Sequence, residues 1–147
     1  MTERERLQAI AGVWLGTYTH LTPDGTVLDR YTSRQECRLE GDQWYERIIY
    51  RVGTDEQQTF DFRARFVGEE LVFEDAQLHG QTTRVSDDVS IFDYYWKDRP
   101  HIRIVETIVV SRPDRKSRIW QTFEHGQLVK VTIIDERRSD EQPAIWY

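Results

Sequence analysis

Residues 102–110 run IRIVETIVV. At a period of two, one side carries Ile102, Ile104, Glu106, Ile108 and Val110. Such alternation marks a strand, because successive side chains point to opposite faces of a sheet. The other side holds Val105, Thr107 and Val109, a mildly apolar strip suited to an outer face. Glu106 therefore sits in the middle of the most apolar side. An ionised carboxylate buried without partners is very costly, so this one needs a cation, several donors, water or a proton.

Outward from that strand the same alternation recurs, broken at short intervals by turn chemistry. TPDG stands at 22–25, EGD at 40–42, GTDE at 53–56, GEE at 68–70, KDRP at 97–100 and RPDR at 112–115. HG pairs stand at 79–80 and 125–126. The runs between are rich in Val, Ile, Thr, Tyr, Phe and Trp, the residues that suit a pleated, half-buried surface. They make about ten strands, most joined by tight hairpins. A helix signal exists only at the start. Thr2 and Glu5 have capping-box spacing, Leu7, Ile10 and Ala11 share a helical face, and Gly12 supplies a stop.

The chain has 147 residues, with no repeat and no linker, and reads as one domain spanning 1–147. An antiparallel meander of this length must hide its edge strands, and closure does that best. The expected fold is all-β: an antiparallel up-and-down closed barrel of about ten strands with a short N-terminal helix. A two-sheet sandwich is the alternative.

Composition excludes several functions. Acidic residues number 26 against 20 basic, a net charge of −6, whereas nucleic acid and anionic membranes both favour a positive field. Cys37 is the only cysteine, so neither an intrachain disulfide nor a cysteine metal cluster is expected. The opening MTERERLQAIAG lacks the apolar core of a signal peptide, so a cytoplasmic protein is expected. No two histidines stand two apart on a strand, and three of the four lie in turns, so no metal site is expected.

Charges set the phase of each strand. In TFDFRARFV, Phe60, Phe62, Ala64 and Phe66 go inward and Asp61, Arg63 and Arg65 outward. Arg30, Arg34, Glu36 and Arg38 outward leave Tyr31, Ser33, Gln35, Cys37 and Leu39 inward. Arg47 and Arg51 outward turn Glu46, Ile48 and Tyr50 inward. A two-residue turn at His125-Gly126 pairs Glu124 with Gln127. Continued without a break, it sets Thr122 opposite Val129, Trp120 opposite Val131 and Arg118 opposite Ile133, all inward, with Asp135 as the diagonal partner of Arg118. A slip of one residue would reverse these faces. Glu106 falls roughly opposite Thr122 on one side. On the other it falls opposite Phe92, since Asp93 would oppose like charges. Ser90, Tyr94 and Trp96 then share its side. The tail DERRSDEQP reads as a solvated strand end.

Gly12-Val13-Trp14, opening the first strand after a short helix, resembles the GxW start of the calycins, the superfamily of lipocalins and fatty-acid-binding proteins. The wider pattern is similar to an uncharacterised bacterial lipocalin-like family best known from cyanobacteria. The matching pieces are GVWLGTYT (12–19), PDG (23–25), the Glu106 strand, RIWQTF (118–123) and GQLVKVTIIDERR (126–138). The resemblance implies a calycin barrel with a ligand cavity, and no particular reaction. It also implies that Trp14 closes the barrel floor against a late-strand arginine, for which Arg118, Arg137 and Arg138 are candidates. More distant calycins include bilin-handling lyases and haem-binding proteins; the axial histidine of the latter has no evident counterpart.

The expected function is binding of an apolar or aromatic small molecule inside the barrel. Glu106 and Arg118 are the polar anchors, with Glu46 a further inward carboxylate. Tyr18, Tyr31, Tyr50, Tyr94, Trp96 and Trp120 supply aromatic walls with hydroxyls interspersed. No catalytic residue is assigned. Glu106 is the candidate acid or base should the cavity host cyclase, isomerase or lyase chemistry. A structural ion-pair network around Glu106, or a filled barrel acting as an interaction module, is the plainer alternative. In the latter case Val105, Thr107 and Val109 are the candidate homodimer strip. Cofactors are not called for, and Cys37 is expected to be an inert buried thiol.

Overall fold

The structure is a computed structural model that describes residues 2–74 and 78–144. Ten strands follow one helix. The helix α1 spans Glu3–Ile10, and the strands are β1 (Gly12–Leu21), β2 (Val27–Glu40), β3 (Gln43–Tyr50), β4 (Gln58–Val67), β5 (Glu70–Glu74), β6 (Leu78–Arg84), β7 (Val89–Trp96), β8 (Arg99–Arg112), β9 (Arg115–Glu124) and β10 (Gln127–Ser139). Every strand pairs antiparallel with its sequence neighbour, and β1 pairs with β10, which closes the barrel and leaves no sheet edge free. The sandwich is thereby excluded.

The helix begins where the capping box places it. Thr2 accepts from the Glu5 amide, and the Glu5 carboxylate accepts from the Thr2 amide, so two N–H groups at the helix start are satisfied reciprocally. Its buried face holds Leu7 and Ile10 but also Glu3 and Arg6, two charges that periodicity alone does not assign to an interior. Glu3 accepts from the Ser90 hydroxyl, and Arg6 donates to the carbonyls of Asp88 and Ile108. These bonds fix the helix across one end of the barrel.

Trp14 is wholly buried at that end, and its indole N–H donates 2.9 Å to the Ile10 carbonyl. The late-strand arginine against it is Arg138, whose guanidinium carbon lies 4.4 Å from the ring centroid. Arg138 also donates to the carbonyls of Ala11, Ala9 and Pro113, tying helix, β1 and the β8–β9 turn together. Arg137 is exposed and Arg118 is engaged elsewhere.

Strand phasing holds for β2, β3, β4, β7, β8 and the inward face of β9. It fails on β10. The turn at His125-Gly126 does set Glu124 opposite Gln127, but the register shifts after Leu128, and Lys130 rather than Val129 lies opposite Thr122. One extra residue in a bulge flips the strand beyond it. Thr132, Ile134 and Glu136 therefore point inward with no exposure, whereas Ile133 is 46 % exposed. Asp135 faces outward and pairs with Arg115, so it is not the partner of Arg118. The tail is likewise not simply solvated: Glu136 is buried, and the Ala144 amide donates to Glu36, which the C-terminal segment covers. Pairing between β8 and β9 sets Glu106 opposite Trp120, with Thr122 opposite Ile104, two residues from the expected match but on the same face.

Among the described residues, no helix is long and apolar enough to cross a membrane. Val105, Thr107 and Val109 lie half-buried on the outer face of β8.

Candidate functional site

Inside the barrel lies a cavity of about 430 Å³. Ile48, Tyr50 and Phe62 line one wall. Phe73, Phe92, Tyr94 and Trp96 line the next, and Ile102, Ile104 and Trp120 complete the circuit. Arg99, Glu124, Val129 and Lys130 stand at the β7–β8 and β9–β10 hairpin ends and form the mouth. Glu46, Glu106 and Arg118 form the base, on the side toward α1.

The aromatic wall is made by strand alternation. Phe92, Tyr94 and Trp96 are every second residue of β7, so their rings share one face, Phe92 stacked on Tyr94 at 4.4 Å between centroids and Trp96 edge-on to Tyr94 at 6.3 Å. Gly80 on β6 makes room for them. A Cβ there would fall against the Tyr94 Cβ and within 2.6 Å of the Asp93 carbonyl oxygen.

Arg118 organises the base. Its Nε donates to Glu136 Oε1 at 2.7 Å and its Nη2 to Glu136 Oε2 at 3.1 Å, a bidentate pair. Nη1 donates to Glu106 Oε2 at 3.0 Å, and Nη2 also reaches the Tyr18 hydroxyl at 2.6 Å. Glu106 Oε2 accepts a second bond, 2.5 Å, from the Trp120 indole N–H. Glu106 Oε1 takes no hydrogen bond among the described residues. Behind the base, Lys116 donates to Gln35 and lies 3.6 Å from Glu136. Gln35 in turn donates 2.6 Å to Glu46. The other Glu46 oxygen accepts from the Trp44 indole at 3.2 Å.

The charges of this cluster do not balance. Two cations, Arg118 and Lys116, face three carboxylates, Glu136, Glu106 and Glu46. Burial would raise the Glu136 carboxyl, but Arg118 and Lys116 outweigh it and hold the group below its ordinary range. Burial likewise opposes the charge on Arg118, and Glu136 leads the groups that reverse the effect, so the guanidinium stays charged. Glu106 comes out the other way: burial raises its pKa, and Arg118 and the Trp120 bond do not cancel the rise. Of the two carboxyls bonded to Arg118, the one that lines the cavity is thus the one that retains a proton more readily. Thr122, also on the cavity wall, has a buried hydroxyl without a hydrogen-bond partner among the described residues.

Seven of the nine expected binding residues line this one cavity: Glu46, Tyr50, Tyr94, Trp96, Glu106, Arg118 and Trp120. Glu106 is 4 % and Arg118 2 % exposed, so both point into the barrel. Tyr18 and Tyr31 do not reach the cavity. Tyr18 is fully buried behind Arg118, and Tyr31 lines a neighbouring groove with His20, Asp29 and Arg51 that meets the cavity at Tyr50 and Lys130. His20 bridges the Thr132 and Tyr31 hydroxyls at 2.8 and 2.7 Å. Sequence reasoning missed Glu136 and Lys116. Lys116 was legible in principle, being two residues before Arg118 on the same face; Glu136 was hidden by the bulge. Cys37 is buried, and burial pushes its thiol pKa up, which removes thiolate reactivity.

Residues 2–141 match the family described as "Domain of unknown function (DUF3598), N-terminal". A crystal structure of a DUF3598-family protein of unknown function from Nostoc punctiforme superposes with a TM-score of 0.75 at 17% identity, covering 90% of this chain and 49% of that one. The chain thus spans about half the length of that relative. The S-type phycobiliprotein lyase from Guillardia theta is similar with a TM-score of 0.76 at 12% identity, over 97% of this chain and 95% of the other. A Mycobacterium tuberculosis protein is similar with a TM-score of 0.68 at 14% identity, over 93% and 97% of the two chains. At these identities the likenesses show a shared fold. No curated protein sequence matches.

Proposed function

The chain belongs to the family described as DUF3598, N-terminal, and from that premise we propose that its barrel binds a flat, conjugated small molecule bearing N–H donors, of tetrapyrrole-like chemistry. The observation that carries this reading is the surplus carboxylate at the base of an aromatic-walled cavity. Arg118 is already neutralised by Glu136, so it is not the open cation that a fatty acid carboxylate would require. Glu106 instead lines the cavity with Oε1 left open to accept from a ligand donor. Stacked rings of β7 suit a planar ligand, and the volume lies within the range of small-molecule pockets, roughly 300–1,000 Å³. The fold likeness to a phycobiliprotein lyase fits the same ligand class.

Arg118 in this reading is a positioning group: it holds Glu106 by Oε2 and leaves Oε1 to the ligand. Tyr50, Tyr94, Trp96 and Trp120 are the contact surface, and Glu46 is a second acceptor. Tyr18 and Tyr31 take no direct part. The experiment is native mass spectrometry of the purified protein incubated with a free linear tetrapyrrole, a porphyrin and palmitate in turn. A one-to-one complex with a tetrapyrrole and none with palmitate is the expected result. A palmitate complex alone overturns the reading.

A second reading rests on the raised Glu106 pKa. A carboxyl whose pKa is raised by burial while it lines a cavity is equipped to give or take a proton from a bound ligand. Turnover lost in Glu106→Gln with ligand affinity unchanged would establish that role.

A further inference from the structure

A second constellation stands apart from the base, at the mouth. His101 on β8, and Glu124 and His125 at the end of β9, come together although 24 residues separate the histidines. The strand ladder brings them there: Ile102 is the register partner of Glu124, and the His125 amide donates 3.0 Å to the His101 carbonyl. The two imidazole rings stack at 4.7 Å between centroids, 17° from parallel. One ligand-type atom from each of the three residues lies within 4.8 Å of the others. Counting histidines along single strands does not reveal such a cross-strand pair.

We propose that His101, Glu124 and His125 form a site for a divalent transition-metal ion of the zinc type on the rim of the cavity mouth.

Three features carry this beyond proximity. First, none of the three side chains has a hydrogen-bond or ion-pair partner among the described residues, so all are free to ligate. Second, His125 has φ +49° in the first position of its turn, where asparagine, aspartate or glycine is favoured. Histidine is also enriched at positive φ, so the turn holds this imidazole without strain and leaves its ring nitrogens exposed for a ligand. Third, two imidazoles and a carboxylate are a borderline-soft set that suits zinc or copper and not magnesium or calcium. Donors on one tetrahedral zinc lie about 3.3 Å apart, given metal–ligand lengths of roughly 2.0–2.2 Å. Exposed side chains close the remaining gap by rotation about their χ angles. Three protein ligands leave a fourth position, and because Glu124 also lines the cavity, a donor atom of a molecule seated in the mouth is in reach of it.

The test is a zinc titration by isothermal calorimetry on protein without a polyhistidine tag, with magnesium as the control. One saturable zinc site with micromolar affinity is expected, and no heat from magnesium. His125→Asn accepts the positive φ, so this variant folds and separates loss of ligation from loss of structure. It should weaken zinc at least about tenfold, as should His101→Gln. The absence of a saturable site overturns the proposal, and so does a site that survives both histidine variants. Neither outcome bears on the tetrapyrrole reading, which uses the base of the cavity.

Discussion

Arg118 grips Glu136 through two nitrogens at 2.7 and 3.1 Å, while both side chains are sealed from solvent. This pair is the electrostatic keystone of the barrel, and Glu106 is a third party to it. Removing Glu136 leaves Arg118 and Lys116 without their shared counter-ion. Breaking a buried pair from one side costs roughly 3–5 kcal/mol. Glu136→Gln should therefore lower the urea-derived stability by about that much. Glu106→Gln, which leaves the bidentate pair intact, should cost under about 1.5 kcal/mol. Equal losses for the two variants would contradict this hierarchy.

Glu106 also sets a pH dependence. Burial raises its pKa in the folded chain above the ordinary value of 4.5. The folded state then holds a proton that the unfolded state has released, so this group's contribution to stability declines as pH rises above 4.5 toward the folded pKa. Glu106→Gln removes that decline. The stability difference between variant and parent should shift in favour of the variant from pH 5 to pH 8, measured by urea unfolding. No shift, or a shift toward the parent, would mean that burial does not hold the Glu106 pKa above that of the unfolded chain.

His20 takes up its proton at lower pH than an exposed imidazole. Burial is the main cause, with Lys130 adding to it, and the pKa falls from 6.5 to about 4. A histidine with a depressed folded pKa takes up its proton first in the unfolded chain, so stability is lost as pH falls from 6.5 toward 4. Imidazole resonances followed by NMR should show His20 neutral down to about pH 4. A midpoint near 6.5 would contradict the buried bridge between Thr132 and Tyr31.

Gly80 tests the aromatic wall. With Ala in its place, the new methyl presses on the Tyr94 Cβ, the Asp93 carbonyl and, at 2.9 Å, the Phe92 ring. Overpacking of this kind costs typically 1–3 kcal/mol. Gly80→Ala should lose stability in that range and also weaken ligand binding, because Phe92 and Tyr94 line the cavity. Stability and binding both unchanged would show that the β6–β7 ladder yields without disturbing the rings.

Much of this architecture is legible in the residues. Period-two runs, turn chemistry and one capping box suffice for helix, strand number and closure, although the His79-Gly80 pair read as a turn lies within β6. The inward phase of Glu106 and Arg118 follows from their apolar companions on alternate positions. The stretch VTIIDERR is different. Val131 and Ile133 compete with Thr132 and Ile134 for the interior, both parities carry apolar residues, and hydropathy cannot choose. A bulge at Val129 chooses, and bulges leave little trace in composition. The charge pattern did hold a clue: Lys116 and Arg118 on one inward face demand an anion, and Glu136 meets both only after the flip. Glu3 and Arg6 escape for a similar reason, since their partners are backbone carbonyls and a serine distant in sequence.

Glu106 as the acceptor at the base of the cavity is tested most directly by one titration. A linear tetrapyrrole is added to parent protein and to Glu106→Leu, with quenching of Trp96 and Trp120 fluorescence as the readout and thermal unfolding as the check on folding. Saturable one-to-one quenching is expected in the parent and at least about tenfold weaker binding in the folded variant, the loss of one charge-assisted hydrogen bond. Equal affinity in both proteins, or no quenching in the parent, would contradict that role.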